Sequence, residues 1–254
     1  MGKRVVVGVI VLLLAGGLWA VTQVAGGGGS EPPSKEIAFR GLSKAAGPGS
    51  KLEVPAPRAK EGDFLLAVIF GAGTQADQQG RTIIEPEGWT HIEADLHATW
   101  SWRPFESGDE GSSWTWVAED GETHDWNGSI FAYSGVDLSD PLVDATADRA
   151  CSADGDGVCD QRPGTPGEII APSAETAPGS WINAWYTSHE RGDNVLTLPE
   201  GFVVRYTYML ERRQTTIAGD SPAESGDETG PLVSTTSKAE FVHGIAGLVV
   251  MRPG

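Results

Sequence analysis

Past an apolar opening stretch, hydrophobic positions in this chain come in short runs broken by turn residues. The runs predict β-strands at Glu36 to Gly41, Lys51 to Val54, Phe64 to Phe70, Trp89 to Arg103, Ser112 to Val117 and Ser129 to Val136. After a polar loop they resume at Ile169 to Ala171, Trp181 to Thr187, Phe202 to Leu210, Thr215 to Ala218, Val233 to Thr236 and Gly244 to Met251. Some runs alternate apolar with polar residues and others stay apolar throughout, the patterns of strands buried on one face or on two. No window repeats apolar residues at helical spacing for long. The 34 glycines and 16 prolines supply the turns that so many reversals need, so the pattern predicts an all-β domain over residues 36–254.

The two series of strands echo each other. Gly62, Asp63 and Phe64 open a strand, as do Gly179, Ser180 and Trp181; Pro86, Glu87, Gly88 and Trp89 recur as Pro199, Glu200, Gly201 and Phe202; and Ile130 has a counterpart in Ile245. The three offsets are 117, 113 and 115 residues, which points to an internal pseudo-duplication. Proline and glycine fix a turn that delivers the following aromatic into the core at a strand's start. The expected arrangement is a single two-sheet β-sandwich, one sheet from each half.

The opening stretch has another character. Lys3 and Arg4 precede Val5 to Ala25, about 21 residues interrupted only late by Thr22 and Gln23, a length that spans a bilayer. A cleaved signal wants small residues before its cut, and cutting after Ala25 or Ala20 places Gln23 or Leu18 at the third position back. Residues 1–25 therefore read as a signal anchor ahead of a cleaved signal peptide, and either one exports the remainder. Residues 26–35, rich in glycine and proline, form a flexible linker. The expected location is the extracellular face of the cell membrane, or secretion.

The runs Gly62, Asp63, Phe64, Leu65, Leu66, Ala67, then Pro86 to Thr90, then Phe131, Ala132, Tyr133, Ser134, Gly135, Val136, with Pro141 shortly after, resemble a jelly-roll type β-sandwich of bacterial exported and phage tail-associated proteins. The resemblance covers roughly residues 36–252 and consists of turns and core strands. It implies a surface or appendage module and brings no catalytic residues.

Tryptophans are the usual platform for sugar rings. A hairpin centred near Gly108 would set Trp102 opposite Trp114 and Trp100 opposite Trp116, all on one side, with Ser101, Arg103, Ser113 and Thr115 on the other; those four indoles are expected in the core. Trp181 and Trp185 share a face with Asn183 and Thr187, while Ile182, Ala184 and Tyr186 take the other. These two are the candidate ligand-binding residues, on an exposed aromatic platform.

The loop between the halves holds the only two cysteines, Cys151 and Cys159, expected to close a disulfide in an exported protein. Asp154, Asp156 and Asp160 lie within or just after it, with Gly157 for a sharp turn, a set of oxygen ligands suited to calcium. The pattern resembles the acidic calcium loops of thrombospondin type 3 repeats. It departs from an EF-hand, which would carry a bidentate Glu where Pro163 stands and its first ligand where Ser152 stands.

Formal charge is -17, and the residues after 30 carry 16 - 35 = -19, which repels nucleic-acid phosphates. Catalytic patterns are weak. His189 and Glu190 lack a zinc-binding His four residues on, His91 and His97 lie six apart on one predicted strand, and Ser134 lacks the first glycine of a nucleophile elbow. Asp137, Asp140, Asp144 and Asp148 supply carboxylates. Arg191 to Asp193 reads as a hairpin turn, though it matches an integrin-binding tripeptide, and Asn127 to Ser129 matches a glycosylation acceptor. The expected function is a non-enzymatic, exported surface module, structural or adhesive, with a surface glycan or protein as partner. The alternative is a secreted carbohydrate-active hydrolase using paired carboxylates.

Overall fold

The computed structural model describes residues 35–72, 83–95, 97–150, 167–189, 195–210, 214–223, 226–237 and 243–254, and these are built from strands and turns. The first half supplies β1 (Ala38–Gly49), β2 (Lys51–Pro55), β3 (Phe64–Ala72), β4 (Ile83–Ile84), β5 (Thr90–Asp95), β6 (Ala98–Pro104), β7 (Ser113–Ala118) and β8 (His124–Ser134). The second supplies β9 (Leu142–Ala150), β10 (Glu168–Ala171), β11 (Trp181–His189), β12 (Leu196–Thr197), β13 (Val203–Leu210), β14 (Gln214–Pro222), β15 (Leu232–Thr236) and β16 (His243–Met251). All the strand pairs are antiparallel. Among the described residues no helix is long and apolar enough to cross a membrane; the apolar run and linker of residues 1–34 lie outside them.

Strand order makes the duplication explicit. The first half forms a five-stranded sheet, β1-β8-β3-β6-β5, and a three-stranded sheet, β2-β7-β4. Adding eight to every label gives β9-β16-β11-β14-β13 and β10-β15-β12, the two sheets of the second half. The described residues thus form four sheets, not the two that the halves were expected to contribute. The reason is legible in β3, where Phe64, Leu66, Val68 and Phe70 enter one cluster while Leu65, Ala67 and Ile69 enter another. A sheet apolar on both faces needs a covering layer on each.

Three clusters fill the spaces between layers. One joins the first half's sheets, from Leu52, Val54, Trp114 and Trp116 to Leu65, Ile130 and Ala132. A second does the same in the other half, from Ile169, Ala171 and Leu196 to Ile182, Tyr186 and Leu248. The third lies between the two five-stranded sheets and mixes Phe64, Trp100 and Phe131 with Trp185, Tyr206, Ile245 and Val249. Contacts across it set the facing order. Phe39 of β1 meets Arg205 of β13, Tyr133 of β8 meets Asp220 of β14, and Phe70 of β3 meets Trp185 of β11. Trp100 of β6 lies against Gly247 of β16, and β5 lies against β9. Exchanging the halves exchanges β1 over β13 with β9 over β5, so the halves are related by a pseudo-twofold axis, as in an isologous dimer.

The repeated turns explain why the copies start alike. Trp89 N–H donates to Pro86 C=O at 3.2 Å and Phe202 N–H to Pro199 C=O at 3.3 Å, with Gly88 at φ 83° and Gly201 at φ 87°. Trp89 then packs edge-on against Trp114 and Trp116, and Phe202 packs on the second half's core, as expected of a turn that delivers an aromatic inward.

Candidate functional site

β11 carries the two tryptophans singled out as a platform, and the structure turns their face inward. Trp185 is fully buried, 5.9 Å edge-on from Trp100 and 6.0 Å from Phe70 of the opposite five-stranded sheet. Trp181 is half-buried and packs against the same cluster. The expected exposed platform is therefore corrected: Asn183 and Thr187 made that face look solvated, but it is the buried seam between the halves. The four hairpin tryptophans are buried or half-buried as expected, yet they do not face one another. β6 and β7 belong to different sheets, so Trp100 and Trp102 enter the central cluster while Trp114 and Trp116 enter the first half's own core.

Polar residues on that seam converge on one carboxylate. Asp220, opposite Asn183 in the β11–β14 pairing, is completely buried. Arg205 donates from Nε to Asp220 Oδ1 and Oδ2 at 3.1 and 3.0 Å and from a terminal nitrogen to Oδ1 at 3.0 Å. From the other half, the Tyr133 hydroxyl donates to Asp220 Oδ2 at 3.0 Å and accepts from Asn183 Nδ2 at 3.0 Å. Arg205 sits in a bulge of β13 and stacks 4.1 Å over the Phe39 ring, so one side chain binds the carboxylate and caps an aromatic of the facing sheet. Burial, then the Asp220 charge, pushes the Tyr133 hydroxyl well above the usual tyrosine range, which keeps it a hydrogen-bond donor. A carboxylate so enclosed is costly unless paired, and here a charged partner and a hydroxyl compensate it. The arrangement locks two sheets together. Asp220, Tyr133 and Asn183 are buried, and the carboxylate is taken up by Arg205 and the Tyr133 hydroxyl rather than presented to a substrate.

Elsewhere the expected chemistry is placed differently. His91 and His97 do not share a strand, because the predicted Trp89 to Arg103 strand turns back at residue 97 into β5 and β6. His91 Nδ1 lies 2.8 Å from Glu85 Oε1, which also accepts from Thr99 Oγ1 at 2.6 Å, forming a surface pair on the first half. Ser134 Oγ reaches the Ala38 carbonyl at 3.4 Å. Asn127 is completely buried, which removes the glycosylation match. Asp137 accepts from the Ser139 hydroxyl and N–H, which hold its carboxyl below the usual range; Asp140 pairs with Arg252 at 3.2 Å, and Asp144 accepts from the Glu175 N–H at 2.8 Å. Cys151, Cys159, Asp154, Asp156, Asp160 and the Arg191 to Asp193 tripeptide lie outside the described residues. Among the described residues, no group of three or more His, Cys, Asp or Glu is placed to hold a metal ion.

The Asp220 network escaped the sequence reading because its members stand 50 and 87 residues apart in the chain. A local hint exists in Arg205 and Asp220, each the single charge of its strand. Comparison with family models, curated proteins and solved structures finds no match for this chain.

Proposed function

We propose that this chain is an exported, membrane-tethered surface module with a structural or adhesive role and no catalytic one. The reading is carried by the seam between the halves. Trp100, Trp102, Trp181 and Trp185, with Tyr133 and the Asp220–Arg205 pair, are invested in holding two eight-strand units face to face, which makes a rigid block. For the fold we propose two jelly-roll type sandwiches in one chain. The orders β1-β8-β3-β6 and β2-β7-β4, repeated in the second half, support it, since a chain folded back on itself in two Greek keys alternates between sheets in this way. The partner is a surface glycan or protein, and its contact does not run through Trp185.

The loop of Cys151 and Cys159 belongs to the same proposal, as a disulfide-closed calcium loop using Asp154, Asp156 and Asp160. Calcium added to the full chain should raise its melting temperature and Asp156→Asn should abolish the rise; no shift would remove the site. Localisation is tested by fractionating cells that express the full chain and treating intact cells with protease. Protein in the membrane fraction and cleaved from outside supports the reading, and cytosolic protein contradicts it. Release of reducing sugar from a polysaccharide panel would replace the module with the hydrolase.

A further inference from the structure

Charge is distributed very unevenly along this acidic chain. Residues 35–60 hold six cations, Lys35, Arg40, Lys44, Lys51, Arg58 and Lys60, against two acids, Glu36 and Glu53, a balance of 6 - 2 = +4. Residues 61–254 hold ten cations against 32 acids, a balance of 10 - 32 = -22. All six cations are exposed.

The fold gathers them along one edge. β1 is the outer strand of its five-stranded sheet and β2 the outer strand of its three-stranded sheet, and the two strands lie in contact. The segment after β2 returns across β1: Ser43 Oγ donates to the Pro55 carbonyl, and a Cβ on Gly41 would stand 2.5 Å from the Arg58 carbonyl oxygen. Arg40 and Lys60 are drawn to the same spot by Asp63, which lies 3.9 Å from Arg40 Nε and accepts from Lys60 N–H at 2.8 Å. Asp63 is itself buried, so it holds the Arg40 side chain and the Lys60 backbone from beneath and adds little negative charge to the surface. Glu53, the acid among them on β2, is engaged by the Ser113 hydroxyl.

We infer that this β1–β2 edge docks on an anionic phospholipid surface. Two observations select a bilayer as the occupant. The edge is built from residues 35–60, whose balance of 6 - 2 = +4 is set against -22 over the remainder, so an anionic plane attracts it and repels the acidic remainder. The edge also opens at Lys35, which follows directly on Gly26 to Ser34, a stretch that reaches at most about 30 Å from the apolar run when fully extended. Acids facing away from the bilayer act weakly on it, because charges are screened beyond about 8 Å at physiological salt. The inference rests on the tethered-module reading and adds to it an orientation: the duplicated block stands on its β1–β2 edge, beside which β13 lies, with the opposite edge of β5 and β9 free for partners.

Lysine footprinting of the full chain in nanodiscs tests this. Discs of phosphatidylcholine alone are compared with discs that also contain phosphatidylglycerol, and acetylation of each lysine is followed by mass spectrometry. Lys35, Lys44, Lys51 and Lys60 should react about threefold more slowly in the anionic discs, and about 1 M salt should erase the difference. The variant Lys51→Glu, Arg58→Glu, Lys60→Glu should lose the protection at Lys35 and Lys44. Equal rates in both discs would overturn the docking. So would equal protection by soluble polyphosphate in neutral discs, which would make phosphate polymers the occupant. A chain that fails to incorporate into neutral discs contradicts the anchor instead, and docking is then read from flotation with added vesicles: binding to phosphatidylglycerol but not phosphatidylcholine upholds it, and binding to neither overturns it.

Discussion

At the scale of single residues, Gly88 and Gly201 carry the repeat. Each sits third in a four-residue turn at positive φ, 83° and 87°, where a Cβ collides with its own backbone rather than with a neighbour. Gly88→Ala and Gly201→Ala should each cost about 1–2 kcal/mol in denaturant unfolding. Near-equal costs are expected because the space is open in both, with an added Cβ meeting nothing closer than Arg103 at 3.5 Å in one and Ser221 at 3.9 Å in the other. These turns are legible in the sequence, since proline and glycine act through local geometry that it records directly. Asp220 was not readable in that way. Its meaning depends on Tyr133, 87 residues away, and on Arg205 leaning out of a bulge.

At the scale of elements, strands with a continuous apolar run were the most legible. β3 and β16 appear close to where the pattern puts them, because a strand buried on both faces takes apolar or small residues at nearly every position. β9 was read as polar loop. Its Asp144, Thr146 and Asp148 alternate with Leu142, Ala145 and Ala147, which reach the central cluster, and small alanines give a faint apolar signal. The face of β11 was misread for a related reason: a strand pattern shows which residues share a side but not what covers it. The cover is close at Gly247, where an added Cβ would run into Cζ2 of the Trp100 indole, itself only 1% exposed. Gly247→Ala should therefore cost about 1–3 kcal/mol through overpacking. Thermal unfolding checks it. A neutral result would mean the β6–β16 contact is looser than described.

At the scale of the molecule, burial of tyrosine hydroxyls in two of the three layer interfaces, the central seam and the second half's own core, governs alkaline stability. Tyr133, Tyr186 and Tyr206 are all held above the ordinary value of 10.0 by burial, the first also by the Asp220 charge and the last also by Tyr208. The neutral forms are favoured in the folded state, so the stability they contribute is complete below pH 10 and is lost as pH rises above it. Three of the four tyrosines should ionise together with unfolding, seen as absorbance at 295 nm rising in step with loss of near-ultraviolet circular dichroism. Smooth titration near pH 10 with the fold intact would contradict their burial.

The central claim is that the two halves meet face to face through their five-stranded sheets, and a double-mutant cycle between Tyr133→Phe and Asp220→Asn probes it across the seam. The two side chains belong to different halves and share a hydrogen bond of 3.0 Å. Unfolding of both single variants and the double variant should yield a coupling energy of about 1–3 kcal/mol, the hydroxyl mattering more while the Asp220 carboxylate is there to accept from it. Additive effects, with a coupling indistinguishable from zero, would mean that Tyr133 and Asp220 do not meet and that the halves are joined in some other way.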